Sequence, residues 1–199
     1  MANHVSAFLQ VQSISEEGQK VWDEYVQGTL DKNVRDLHEA HLGHFIFDCD
    51  EEGEFTNWDF NTMCEEIGAK WAYATDWGDD FVNTYSAWSP VLEWAELVAR
   101  KIGEVDPDVA LVLTYEDEFP NFVGVATFTA EGMDTDNCIE SDELLELVMD
   151  DNPELREMYD EDECSWKEGK EDEAYDILMD VQWDKIHEWQ ADNTEWSVK

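Results

Sequence analysis

Positive charge is what this sequence has least of: its 199 residues hold 11 Lys and Arg against 51 Asp and Glu, a formal charge of −40. A surface of that sign repels phosphate, so direct binding of nucleic acid or of an anionic bilayer is excluded at the outset. The partners it predicts are basic proteins or metal cations. Cysteine is scarce as well. Cys49, Cys64, Cys138 and Cys164 form no CxxC pair and are too few for a disulfide framework, so reduced, buried thiols are expected. No apolar run reaches the ~18 residues of a membrane-spanning helix. The opening MANHVSAFLQVQSI has neither a basic start nor a long apolar stretch, so no leader is predicted and the expected location is the cytoplasm. Nucleophile-elbow, P-loop and dinucleotide-binding glycine signatures are missing too, and the expectation is a protein without enzymatic activity.

What is present argues against disorder. Hydrophobic residues make up 43% of the chain and aromatics 13%, with ten Trp, enough apolar area to support a core under an acidic surface. Residues 4–14 alternate as a strand. Ser13 and Glu16 offer a capping box for a helix whose inner stripe is Val21, Trp22, Tyr25, Val26 and Leu30. Residues 44–48 and 54–60 read as two strands of a hairpin turning at Gly53, and 71–77 and 83–88 as two more. Ser89-Pro90 predicts a helix start, with Val91, Ala95, Val98 and Ile102 facing inward and Gly103 ending it. Residues 109–115 and 122–130 then form a strand pair. Beyond residue 131 the pattern turns helical, over 141–149, near 155–159 and over 171–190. The segment holding Asp134, Asp136 and Glu140 reads as a loop before a helix capped by Ser141. Two portions are therefore predicted, an α+β domain over 1–132 and an acidic helical extension over 133–199 packed on it.

The last helix carries the most pointed pattern. Tyr175, Leu178, Met179, Trp183, Ile186 and Trp189 share one face at helical spacing. Asp176, Asp180, Asp184, Glu188 and Asp192 recur every fourth residue on another. A rise of ~1.5 Å per residue sets these carboxylates ~6 Å apart along a ridge. Like charges at that spacing destabilise a helix by ~0.2–0.5 kcal/mol per pair, and only Lys185 offers relief nearby. Folding stability alone does not explain such a row. A row of carboxylates on a rigid scaffold predicts imitation of a DNA phosphate backbone, with Asp142, Glu146 and Asp150 of the preceding helix contributing. The expected target is a basic DNA- or RNA-binding protein, and a homodimer would extend such a surface. A salt-adapted acidic surface without mimicry is the competing explanation.

A second pattern concerns metal. Residues 48–59 resemble an EF-hand loop, with Asp48, Asp50 and Glu52 at the first, third and fifth positions, Gly53 at the sixth and Asp59 at the twelfth. Glu54 adds a further oxygen donor. The loop departs from the pattern by ending in Asp rather than Glu and by following a strand-like segment, Phe45-Ile46-Phe47. It sets calcium binding and a regulatory role as an alternative; no other cofactor is expected. His38, His41 and His44 recur every third residue without an HExxH motif and read as a surface or core-edge group.

The central stretch carries a family likeness. Gly68, Lys70 and Trp71, then Ala87-Trp88-Ser89-Pro90, then Tyr115-Glu116 and Gly124 resemble the motifs of the YubB ferredoxin-like domain family of phages and plasmids. The likeness covers roughly residues 68–132 and extends loosely to the first strand and helix. The N-terminal Asn3-His4-Val5 departs from the family's Asn-Trp-Cys start. The resemblance implies a ferredoxin-like antiparallel sheet with helices on one face, a mobile-element origin and no catalytic residues. With the acidity, it makes a phage-encoded inhibitor of host restriction, CRISPR or similar defences, acting in the host cytoplasm, the expected function.

Overall fold

A computed structural model describes residues 3–35, 38–119, 121–160, 162–163 and 165–194. Cys164, and Glu161 of the acidic run 160–163, lie outside the described residues. Helix accounts for 44% and strand for 31% of the structure, and seven of the strands form one antiparallel sheet, so the class is α+β as the sequence predicts. A separate two-stranded ribbon lies near the C-terminal end. By contact, the chain forms two compact units, one of residues 1–120 and 124–137, the other of 121–123 and 138–199.

In the first unit, β1 (His4–Ser13) lies between β4 (Phe81–Ala87) and β5 (Ala110–Asp117), antiparallel to both. Its alternation decides which face is buried: Val5, Ala7 and Leu9 point inward, opposite Ser86, Thr84 and Val82 on one side and Asp117, Tyr115 and Leu113 on the other. β3 (Ala72–Trp77) pairs with β4, and β2 (Ala40–His41) with β3. The full order is β2-β3-β4-β1-β5-β6-β7, where β6 is Phe122–Thr129 and β7 is Gly132–Glu140.

Helix α1 (Glu16–Val21) is capped by Ser15, whose hydroxyl accepts from the Gly18 N–H at 3.1 Å, rather than by Ser13. It continues as a π-helical stretch, Trp22–Gln27, and then α2 (Gly28–Lys32). The Gly28 N–H reaches back five residues to the Asp23 carbonyl. This wider winding places Trp22, Val26 and Leu30 in one fully buried row, with Val21 and Tyr25 half-buried beside it. Helix α4 (Leu92–Gly103) buries Ala95, Val98 and Ile102, with Val91 just before it, as the sequence predicts, and adds Trp94 and Ala99. Ser89 does not cap it. Its hydroxyl donates to the Gly68 carbonyl at 2.6 Å, tying the loop before β3 to the start of α4.

Three expectations fail locally. The two strands expected over 44–48 and 54–60 are replaced by a 3-10 turn, Leu42–Phe45, a single Cys49–Phe55 bridge, and helix α3 (Phe60–Glu66). The 3-10 turn forms because the His41 imidazole Nδ1 accepts from the Gly43 N–H at 2.9 Å, and α3 starts because Asp59 caps it. Residues expected to form a loop near Asp134 and Asp136 are β7. Nearly all of that strand is exposed, so it shows no apolar alternation; charges on such a sheet edge discourage pairing with another chain. The cysteines also differ from expectation: no disulfide joins the described Cys49, Cys64 and Cys138, but Cys49 and Cys138 are exposed rather than buried.

Beyond β5, the Tyr115 ring lies over Gly124 of β6, and its hydroxyl donates to Asp136 of β7 at 2.6 Å. A methyl group at position 124 would sit 2.0 Å from the Tyr115 ring, so Gly there is a packing requirement. Gly124→Ala should lower stability by ~1–3 kcal/mol through overpacking. Urea unfolding of Gly124→Ala, Tyr115→Leu and the double variant should show strongly non-additive losses, because the second change removes the clash.

Candidate acidic interaction surface

The second unit is built from α5 (Ser141–Asp151), α6 (Pro153–Met158), the ribbon of β8 (Tyr159–Asp160) and β9 (Ser165–Trp166), and α7 (Glu171–Thr194). Ser141 is the first helical residue of α5 rather than its cap; the position before it is Glu140, whose side chain makes no capping bond. Pro153 opens α6, where its missing N–H costs nothing. The Tyr159 and Trp166 rings meet edge to face at 5.2 Å across the ribbon.

Two apolar clusters hold α5 and α7 together. Leu144 and Leu147 pack with Ile186, Trp183 and Trp189, around Val123 and Ile139. Val148 and Met149 pack with Ala174, Ile177, Leu178 and Val181, around Leu155. The predicted inner stripe of α7 is corrected at its start: Tyr175 is 54% exposed, and Ala174 is buried in its place. The buried and half-buried row is Ala174, Leu178, Gln182, Ile186 and Gln190, every fourth residue.

This row decides what the acids do. Asp176, Asp180, Asp184, Glu188 and Asp192 are all exposed, and each stands two residues after a member of the inner row. Two residues turn a helix by about 200°, so the acidic row lies opposite the inner row at every level. Both rows wind by about 40° per step, because four residues exceed one turn of 3.6. The carboxylates therefore trace a shallow spiral outside the helix, not a straight line. Asp142, Glu146 and Asp150 of α5 are exposed as well.

Cations reach few of these groups. The Lys185 ammonium lies 2.5 Å from Asp151 and 3.3 Å from Glu188, clamping the end of α5 to the acidic row. The Asp151 hydrogen bond, helped by Glu188, raises the pKa of Lys185 and keeps it charged. Arg156 bridges Asp150 at 2.8 Å. Among the described residues, Asp142, Glu146, Asp176, Asp180, Asp184 and Asp192 have no ion pair.

The EF-hand-like segment is arranged as a turn. Gly53 takes a positive φ of 78°, and the Asp50 carboxylate accepts from the Glu52 and Glu54 N–H groups at 2.9 Å each. Glu54 pairs with Arg35 at 2.7 Å, and the Asn57 amide donates to Asp48 at 3.4 Å. Asp59 accepts from the Thr62 N–H at 2.9 Å at the start of α3, and these hydrogen bonds hold its pKa below the usual carboxylate value. Glu52 is exposed on the turn. Among the described residues, no group of three or more His, Cys, Asp or Glu is placed to hold a metal ion.

Beside that turn, His41 is wedged edge-on against Tyr73 and Phe55, with ring centroids 4.7 and 5.1 Å away. His44 is half-buried, with its Nδ1 3.2 Å from the Cys49 thiol. Burial, with smaller contributions from His44 and Arg35, lowers the His41 pKa to about 4.

Lys185→Met keeps the apolar stem but removes the ammonium between Asp151 and Glu188. It should cost ~0.5–1 kcal/mol in urea unfolding, with a smaller loss at high salt. His41 should bind its proton more readily when unfolded, at a pKa of about 6.5, than when folded. Its contribution to stability is therefore complete above pH ~6.5 and drains away as pH falls toward about 4. The stability difference between the unmodified protein and His41→Asn should shrink over that interval in pH-dependent urea titrations; a constant difference contradicts the assignment.

No protein-family model matches this chain, and no curated protein or solved structure matches it either.

Proposed function

We propose that this protein is an acidic DNA mimic that occupies the nucleic-acid groove of a basic host protein, with the outer row of α7 as a principal contact. The observation that carries this reading is the row itself. Five carboxylates keep to the side opposite the buried row along α7, and four of them have no ion pair among the described residues. Four like-charge steps cost the helix ~1–2 kcal/mol in total. A surface retained against that cost has its compensation in a partner that supplies the cations.

Charge density supports the same reading. One DNA strand presents a phosphate every ~3.4 Å of axis. Helices α5 and α7 together carry thirteen acids and one Lys. Spread over the ~36 Å length of α7, that is one net negative charge per ~3 Å. The row of α7 alone, at one per ~6 Å, would be too sparse, so α5 is part of the mimic.

We read the frame as ferredoxin-like. The run β1, α1–α2, β3, β4, α4, β5, with β1 between β4 and β5 and β3 outside β4, follows the split βαβ plan. This favours the resemblance to the phage and plasmid domain family carried by Gly68, Trp71, Trp88-Ser89-Pro90 and Gly124. On that origin, the target is a restriction, CRISPR or other nucleic-acid-binding factor in the host cytoplasm, and the action is occlusion without catalysis.

Immobilised protein should retain basic nucleic-acid-binding proteins from a bacterial lysate and release them on addition of salt or excess duplex DNA. Reversing Asp180, Asp184 and Glu188 to Lys should abolish retention and leave the circular-dichroism spectrum unchanged. Equal retention by the reversed variant removes the row from the mechanism, and retention that duplex DNA does not compete removes the mimicry.

A further inference from the structure

The outer face of the sheet in the first unit has a composition that the acidic helices do not explain. Strand alternation places Tyr73 and Tyr85 side by side in register on the face opposite the buried one. Their rings stack at 5.4 Å with planes 20° apart. His4 stacks on Tyr85 at 5.9 Å and meets Trp71 edge-on at 5.4 Å, and Trp71 closes on Tyr85 at 5.8 Å. His4 is exposed and the other three rings are half-buried, in contrast to the fully buried Val5, Leu9, Ala72 and Ala74 of the opposite face.

Trp88 directly follows β4, and its backbone N–H donates to the carbonyl of Asn3, the residue before His4, at 3.0 Å. It is 56% exposed and has a φ of 74°, a conformation a bulky side chain adopts only under constraint. Carboxylates surround the rings. Glu39 accepts from the Tyr85 hydroxyl at 2.9 Å, Glu118 accepts from the His4 N–H at 3.0 Å, and Glu116 lies opposite Ser6 on the same face.

We propose that this face, centred on Trp71, Tyr73 and Tyr85, is a docking surface for arginine side chains of a protein partner. Charge complementarity selects the occupant. An aromatic platform could stack either a base or a guanidinium, but phosphates would have to approach a rim of Glu39, Glu116 and Glu118 on a protein of charge −40. A guanidinium gains from both components: its plane lies on the ring faces and its N–H fork meets the carboxylates. Lysine gains only the point-charge attraction. This inference shares with the proposed function the basic character of the partner and is independent of the α7 row.

The test uses the full chain carrying the Asp180→Lys, Asp184→Lys and Glu188→Lys reversals, so that the α7 row does not contribute. An Arg-Gly-Gly repeat peptide and a Lys-Gly-Gly peptide of equal length are titrated while the indole N–H resonance of Trp71 is followed by NMR. The expected result is a shift of this resonance and about tenfold tighter binding of the Arg peptide. Tyr73→Leu and Tyr85→Leu should each reduce the Arg peptide to the Lys level. Equal affinity for the two peptides, or binding without indole shifts, overturns the proposal. So does a thymidine oligonucleotide that moves the same resonance while the Arg peptide does not. Failure of the unreversed protein to retain basic proteins from lysate, with this preference intact, would count against the α7 row alone.

Discussion

Repulsion among 51 carboxylates is the constraint to which every element of this fold answers. Two unit charges ~6 Å apart in water repel by ~0.7 kcal/mol before screening, and salt at physiological strength damps the interaction beyond ~8 Å. Each pair is therefore a small cost, and the sum is large. Burial of big side chains offsets it. Trp22, Trp94 and Phe128 are fully buried, and a large apolar side chain contributes ~1.5–3 kcal/mol when removed from water. Among the described residues nearly all the acids stay outside this core, with Asp106 and Asp117 the buried ones.

Helix α7 shows this division at the level of single residues. The inner and outer rows share the same four-residue step, so neither drifts into the other along the helix. Had the inner row followed a mixed three- and four-residue pattern, an outer row at strict fourfold spacing would have rotated toward the core. Lys185 is the one cation of the helix, and its ammonium serves the junction with Asp151 as well as the row, so it adds cohesion without neutralising the rest.

Much of this was legible in the sequence. The inner rows of the helical run over residues 16–32 and of α4, and the central strands, followed from apolar spacing, because each has one strongly buried side. The exposure of the acidic row followed from its step. The segment 42–60 was not legible: Phe45-Ile46-Phe47 has strand composition, but the His41 imidazole and the Asp59 carboxylate satisfy backbone N–H groups locally and favour turns and a helix. Strand β7 was hidden because an exposed edge strand shows no alternation. The aromatic face has its own signal in the sequence: His4 and Ser6, Trp71 and Tyr73, and Asn83 and Tyr85 each alternate with buried neighbours.

The central claim is that the carboxylates of α7 replace phosphates in a partner's groove. The most direct measurement is the salt dependence of the affinity between this protein and a basic partner captured from lysate. Asp176, Asp180 and Asp184 would be changed to Asn, which keeps shape and removes charge. If the row is the contact, the slope of log affinity against log salt should be steep for the unmodified protein and clearly shallower for the Asn variant. An identical slope for the two proteins would contradict the account.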